Sequence, residues 1–92
     1  MIKSWKPKGL KLLFETGSVA GINPRHVAKL MRQLDRLDAA TCPQDMNLPG
    51  WQWHGLKGNE AGIYAVSVNG NWRLTYRFED GDAIVVDYRD YH

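Results

Sequence analysis

The sequence predicts an α+β domain in which two N-terminal helices pack on a mainly antiparallel β-sheet. Three observations carry this. Up to about residue 40 the apolar residues recur at helical spacing, and from Trp51 onward they alternate. Asn69-Gly70 and Asp80-Gly81 sit between alternating segments, and both pairs tolerate the positive φ that tight hairpins need. The 92 residues are 43% hydrophobic and include four Trp and four Tyr, enough for one core in a single domain, 1–92.

The elements follow in order. Ile2 to Trp5 has the composition of a short strand. Pro7 permits a helix start, Leu10, Leu13 and Phe14 share one helical face, and Gly17 is a stop signal. Residues 18–22 read as a loop. Asn23 is a good N-cap with Pro24 at the favoured first position, and Val27, Leu30, Met31, Leu34 and Leu37 form the apolar stripe of the second helix. Its opposite face carries Arg25, Lys29, Arg32 and Arg36. Residues 41–50, with Pro43, Pro49 and Gly50, read as a connection. Segments near 51–56, 62–68, 71–78 and 83–89 then read as the four strands of a meander.

Strand parity assigns faces. If the helices cover one face of the sheet, Trp72, Leu74, Tyr76 and Phe78 point toward them, with Tyr64, Val66 and Val68 and with Ile84, Val86 and Tyr88. Arg73, Thr75, Arg77, Ser67, Asp87 and Arg89 then point away. Trp51 and Trp53 directed inward leave His54 outward, and alternation puts Tyr91 there too. Neighbouring strands lie about 5 Å apart, so His54, Arg73 and Tyr91 can surround one nucleotide step.

Composition narrows the class of molecule. Cys42 is the single cysteine, so no internal disulfide forms, which fits a reducing, cytoplasmic setting. The first residues show no apolar signal core and no run is long enough to span a membrane. The net charge of +2 says little, but its distribution is polar. Lys3, Lys6, Lys8, Lys11, Arg25, Lys29, Arg32 and Arg36 face only Glu15 and Asp35 in the first 36 residues, a field that attracts phosphate.

Several residues can carry chemistry, and each has a plainer reading. His54, in Trp53-His54-Gly55-Leu56-Lys57, can exchange a proton near neutral pH, with Lys57 holding a phosphate. The plainer reading is a surface histidine and a strand-end lysine. Arg73 offers a planar fork to a phosphate, or pairs across the sheet with Asp87. Asp90-Tyr91-His92 gathers two proton-transfer groups in three residues, although such a terminus ordinarily frays. The line Arg25, Lys29, Arg32 and Arg36 can track an RNA backbone, or is the wet face of an amphipathic helix. His26, His54, His92 and Cys42 have no metal-ligand spacing, and the glycines form no phosphate-cradling loop. Trp72, Tyr76 and Phe78 read as core rather than as a base-stacking platform.

Taken together, Met1-Ile2-Lys3-Ser4-Trp5, Leu37-Asp38-Ala39-Ala40-Thr41, His54-Gly55-Leu56-Lys57-Gly58, Val68-Asn69-Gly70-Asn71-Trp72-Arg73 and Asp90-Tyr91-His92 resemble, in order and over nearly the whole chain, the HigB toxins of the RelE/ParE superfamily. The resemblance implies a RelE-like microbial RNase fold. It also implies metal-independent, cofactor-free cleavage of mRNA at the ribosomal A site. The implied partner is a HigA-type antitoxin with a helix-turn-helix domain, through which the pair reaches operator DNA. By position, His54, Lys57, Arg73, Asp90, Tyr91 and His92 match the family's active-site residues. Gly55 departs from the proline many members carry there and loosens the backbone beside His54.

The implied chemistry is attack of a ribose 2′-oxygen on the adjacent phosphate. Arg73, assisted by Lys57, takes the cationic role, and His54 and His92 are base and acid in an order that stays open. Tyr91 orients or stacks on a base and Asp90 orients a histidine. Two rival readings remain: a non-catalytic ParE-like toxin acting on DNA gyrase, and a small RNA-binding module that uses the basic helix.

Overall fold

A computed structural model of the chain describes residues 1–91. Helix α1 spans Lys8–Thr16. Pro7 stands at its N-cap and Gly17 ends it in the left-handed region, with φ 77°. The second helix begins as expected at Asn23, whose side chain accepts from the Arg25 N–H, but its first turn, Pro24–His26, is a 3-10 turn. The α-helix proper, α2, runs Val27–Ala39. A second 3-10 turn, Pro43–Met46, lies within the expected connection and contributes the fully buried Met46 to the core.

Four strands follow in spatial order of sequence: β1 His54–Gly55, β2 Tyr64–Asn69, β3 Trp72–Glu79 and β4 Asp82–Asp90, each antiparallel to the next. Two helices packed on a four-stranded antiparallel sheet is the architecture the sequence predicts. The Ile2–Trp5 segment runs alongside β4, touching it through parallel bridges from Ile2 to Ala83 and from Trp5 to Val86.

Leu10, Leu13, Leu30, Leu34, Leu37 and Met46 pack on Val66, Val68, Leu74, Tyr76 and Val86. The residues on this inner face match the predicted parity with one exception. Ile84 pairs with Arg77, on the outer face, and Ala83 takes the buried place beside Phe78. The cause is a β-bulge. The register shifts between Thr75 and Arg77, so one residue, Tyr76, faces the extra length at Val85, an exposed valine held at φ 46°.

Two further corrections concern length. The segment 51–56 forms a strand only at residues 54 and 55, because Gln52 sits at φ 52° and breaks the ladder between Trp51 and Trp53. The first long hairpin turns at Gly70-Asn71, one residue later than expected, with Asn69 paired to Trp72. The second turns at Asp80-Gly81 as predicted, both residues having positive φ. Among the described residues, no helix is long and apolar enough to cross a membrane.

Candidate active site

The position of His54 is fixed from beneath. Trp53, one residue earlier, points inward and stacks on Tyr64, its ring 5.5 Å away and nearly parallel. Its indole N–H donates to the Tyr76 hydroxyl at 2.9 Å, and that hydroxyl donates to the Pro43 carbonyl at 3.0 Å. Burial pushes the Tyr76 phenol well above its usual range, so it stays a neutral donor. With Trp53 held this way, alternation turns His54 outward, where it is exposed and pairs with Ala65.

The imidazole Nδ1 of His54 lies 3.0 Å from the Gln52 carbonyl oxygen. A carbonyl only accepts, so this contact assigns the proton to Nδ1. The Nε2 lone pair of the neutral ring is then free to take a proton. The kink at Gln52 that shortens the strand thus also selects the tautomer.

Arg73 lies on the same outer face. It pairs in register with Ser67 on one side and Arg89 on the other. Its Nη1 donates to the Gly70 carbonyl at 2.7 Å, the Trp72 carbonyl at 3.1 Å and the Ser67 hydroxyl at 3.5 Å. All three acceptors are neutral, and no ion pair to Arg73 occurs among the described residues. The alternative partner Asp87 stands opposite Thr75 and instead takes Arg89 at 3.2 Å and Lys6 at 4.0 Å. Among the described residues, then, no acid pairs with the Arg73 charge.

Tyr91 follows Arg89 by two residues and shares its face. Its backbone N–H donates to the Asn71 carbonyl at 2.9 Å and its hydroxyl accepts from Arg89 at 3.2 Å. Lys57 is exposed at the start of the 3-10 turn Gly58–Glu60, in the loop that leads from β1 to β2. His54, Arg73 and Tyr91 thus share the outer face, spread from the first strand to the end of the last, with Lys57 on the adjoining loop.

Other predicted residues fall elsewhere. Asp90 pairs with Trp72 and so belongs to the helix-covered side. There its charge acts on His26 and Tyr88, which makes it a neighbour of His26 rather than of His54. His92 lies outside the described residues. The stripe Arg25, Lys29, Arg32 and Arg36 lies away from the face of α2 that buries Leu30, Gln33, Leu34 and Leu37. Arg36 there binds the Asp45 backbone carbonyl at 2.7 Å, at the rim of a shallow depression lined with Ala39 and Ala40. The helix layer therefore separates the stripe from the outer face of the sheet. Trp72, Tyr76 and Phe78 belong to the core and its margin, as expected.

Two outer-face residues were not singled out from the sequence. Arg89 contacts Glu60, Asp87 and Tyr91; burial works against its charge, but these partners outweigh it and raise its pKa. Its parity with Arg73 and Tyr91 was the available signal. Glu60 had none, because its place depends on how the loop folds. Among the described residues, no three His, Cys, Asp or Glu side chains converge as metal ligands.

Residues 3–92 match the family described as the RelE-like toxin of type II toxin–antitoxin system HigB. The chain belongs to this family. It is 42% identical over 92 residues to the Endoribonuclease HigB of Proteus vulgaris, with all of both chains covered. It is 32% identical over 86 residues to Toxin HigB-1 of Vibrio cholerae, covering 91% of this chain and 90% of the relative. Among solved structures, the YoeB–YefM complex from Staphylococcus aureus superposes with a TM-score of 0.64 at 20% identity, over 100% of this chain and 98% of that one. A conserved hypothetical protein from Helicobacter pylori gives 0.50 at 16% identity, over 99% and 98%. At those identities the structures attest the fold. A HigB-like toxin acts with an antitoxin partner.

Proposed function

We propose that this HigB-like toxin, as one domain over residues 1–92, is a metal-independent endoribonuclease that cuts mRNA on the translating ribosome, at the A site, in the cytoplasm. One observation carries the reading. A histidine whose Nδ1 is held by a carbonyl and an arginine that, among the described residues, has no acidic partner share the sheet face that the helices leave open.

The chemistry is transesterification. His54 Nε2 takes the 2′-hydroxyl proton, the 2′-oxygen bonds to phosphorus, and the bond from phosphorus to the 5′-oxygen breaks. The products are a 2′,3′-cyclic phosphate and a 5′-hydroxyl. Arg73, with Lys57, stabilises the charge that grows on the phosphate. His92, the second proton carrier of the resemblance, returns a proton to the leaving oxygen, and Tyr91 orients the substrate. Asp90 acts through the His26–Tyr88 side. The basic stripe of α2 meets RNA other than the strand being cut. The antitoxin is of the HigA type, with a helix-turn-helix domain that takes the pair to operator DNA.

The test is to map mRNA 5′ ends on programmed ribosomes with and without the protein. Discrete new ends are expected, and a 2′-deoxy nucleotide at the cleaved position should abolish them. Intact mRNA that is nonetheless tightly bound would favour a binding module. Loss of supercoiling before loss of translation would favour the gyrase reading.

A further inference from the structure

Arg73 and Arg89 stand directly opposite each other on β3 and β4, on one face. Like charges so placed repel, and a sheet that keeps them must manage the conflict. Here Arg73 is turned onto the Gly70 and Trp72 carbonyls, and Arg89 is drawn the other way by two carboxylates. One of these, Asp87, lies on the same strand two residues earlier, at 3.2 Å. The other, Glu60, comes from the 3-10 turn of the β1–β2 loop and reaches Arg89 at 2.5 Å.

That loop crosses the outer face. The Ala61 carbonyl meets the Arg77 guanidinium, and the Arg77 Nη1 lies against Gly62. Beneath, Thr75 is only 1% exposed although the helices are on the opposite side, so it is the loop that covers it. The loop thus covers the middle of the outer face and leaves Glu60 to meet Arg89 at its edge. Glu60 is held at its rim, with its side chain 44% exposed against 23% for Arg89. A carboxylate and a phosphate present similar oxygens to a guanidinium fork.

We infer that Arg89 is a further phosphate-contacting cation beside Arg73 and Lys57, and that the Glu60 carboxylate occupies its fork until the RNA phosphate displaces it. The inference rests on the ribonuclease reading. Arg73 and Arg89 then grip one phosphodiester from adjacent strands, and Asp87 keeps Arg89 aimed after Glu60 leaves. The loop that carries Glu60 also carries Lys57, which is exposed and can meet the same RNA.

The experiment measures single-turnover cleavage of mRNA on programmed ribosomes against toxin concentration, for wild type, Glu60→Gln, Arg89→Ala and the double variant. Glu60→Gln should raise cleavage at sub-saturating toxin by about two- to five-fold, the scale of a partly exposed ion pair. Arg89→Ala should lower it by roughly 10²-fold. In the double variant the gain from Glu60→Gln should vanish, because the competing acid matters only through Arg89. Glu79→Gln, which removes an exposed acid elsewhere, should give no gain. If Arg89→Ala does not fold, Arg89→Lys replaces it and should shrink the gain from Glu60→Gln. A folded Glu60→Gln variant with unchanged or lower cleavage would show a purely structural ion pair and overturn the inference. So would a gain that persists without Arg89. Intact mRNA with wild-type protein would instead remove the ribonuclease reading itself.

Discussion

Each face of the sheet carries a histidine, a tyrosine and charged residues from the last strand, yet the two sets are built for opposite ends. On the inner side His26 is 2% exposed, its Nδ1 lies 2.5 Å from the Tyr88 hydroxyl, and Trp72 packs edge-on against it. Trp72 in turn stacks on Tyr88 at 4.4 Å. Burial lowers the His26 pKa and outweighs the pull of Asp90, and burial likewise raises that of Tyr88. Both rings are thereby held neutral and spent on joining the start of the second helix to β4. On the outer side His54 is exposed with one ring nitrogen fixed by a carbonyl, and among the described residues Arg73 has only neutral partners. Residue type does not separate a structural histidine from a chemical one; burial and the number of satisfied nitrogens do.

The contrast is sharpest under substitution. Arg73→Ala should lower mRNA cleavage by roughly 10²- to 10³-fold while leaving the thermal midpoint nearly unchanged. His54→Ala should act similarly, by about 10²- to 10⁴-fold. Cleavage that survives either change would remove that residue from the reaction. His26→Ala should do the reverse, lowering the midpoint first; a folded His26→Ala protein of normal stability would erase the distinction between the faces.

Tyr76→Phe sits between the two sets. It removes the hydroxyl that links Trp53 to Pro43 and takes the acceptor from a half-buried indole N–H, for a loss of about 1 kcal/mol in denaturant unfolding. Cleavage by the variant should also fall, because His54 follows Trp53. Unchanged stability would show that Trp53 finds another acceptor.

Acidity tests the inner side alone. The folded pKa of His26 lies below its ordinary value of 6.5, so the unfolded chain binds the proton more readily. The contribution of His26 is fully present above that value and declines as pH falls below it toward the folded pKa. Unfolding free energy should therefore fall as the pH drops below about 6.5, and His26→Gln should flatten that part of the profile. A profile with the same slope in the variant would assign the effect to other groups.

Much of this was legible beforehand because it rests on periodicity. Leu30, Leu34 and Leu37, the alternation from Trp72 to Phe78, and the Asp80-Gly81 turn declare their elements and faces directly. His54 and Arg73 were placed on one face by the same counting. Counting failed where the backbone departs from regular geometry: at Gln52, which shortens the first strand, and at Val85, which sends Ile84 outward. Asp90 was grouped with Tyr91 by adjacency, although neighbours in a strand point opposite ways. The site's ion pairs were out of reach. Glu60 meets Arg89 across 29 residues through a loop whose path no local pattern encodes.

The least of the expected effects concerns the bulge. Val85→Gly relieves a β-branched residue held at positive φ and should stabilise the fold by up to about 1 kcal/mol; a loss of stability would mean that the valine side chain earns its place by packing.

The same bulge gives the last strand one residue in reserve. Removing a codon at position 85 would let the ladder run straight from the hairpin and still leave Arg89 opposite Arg73, because the lost residue is the unpaired one. A change of length at the bulge is therefore taken up before it reaches Arg89.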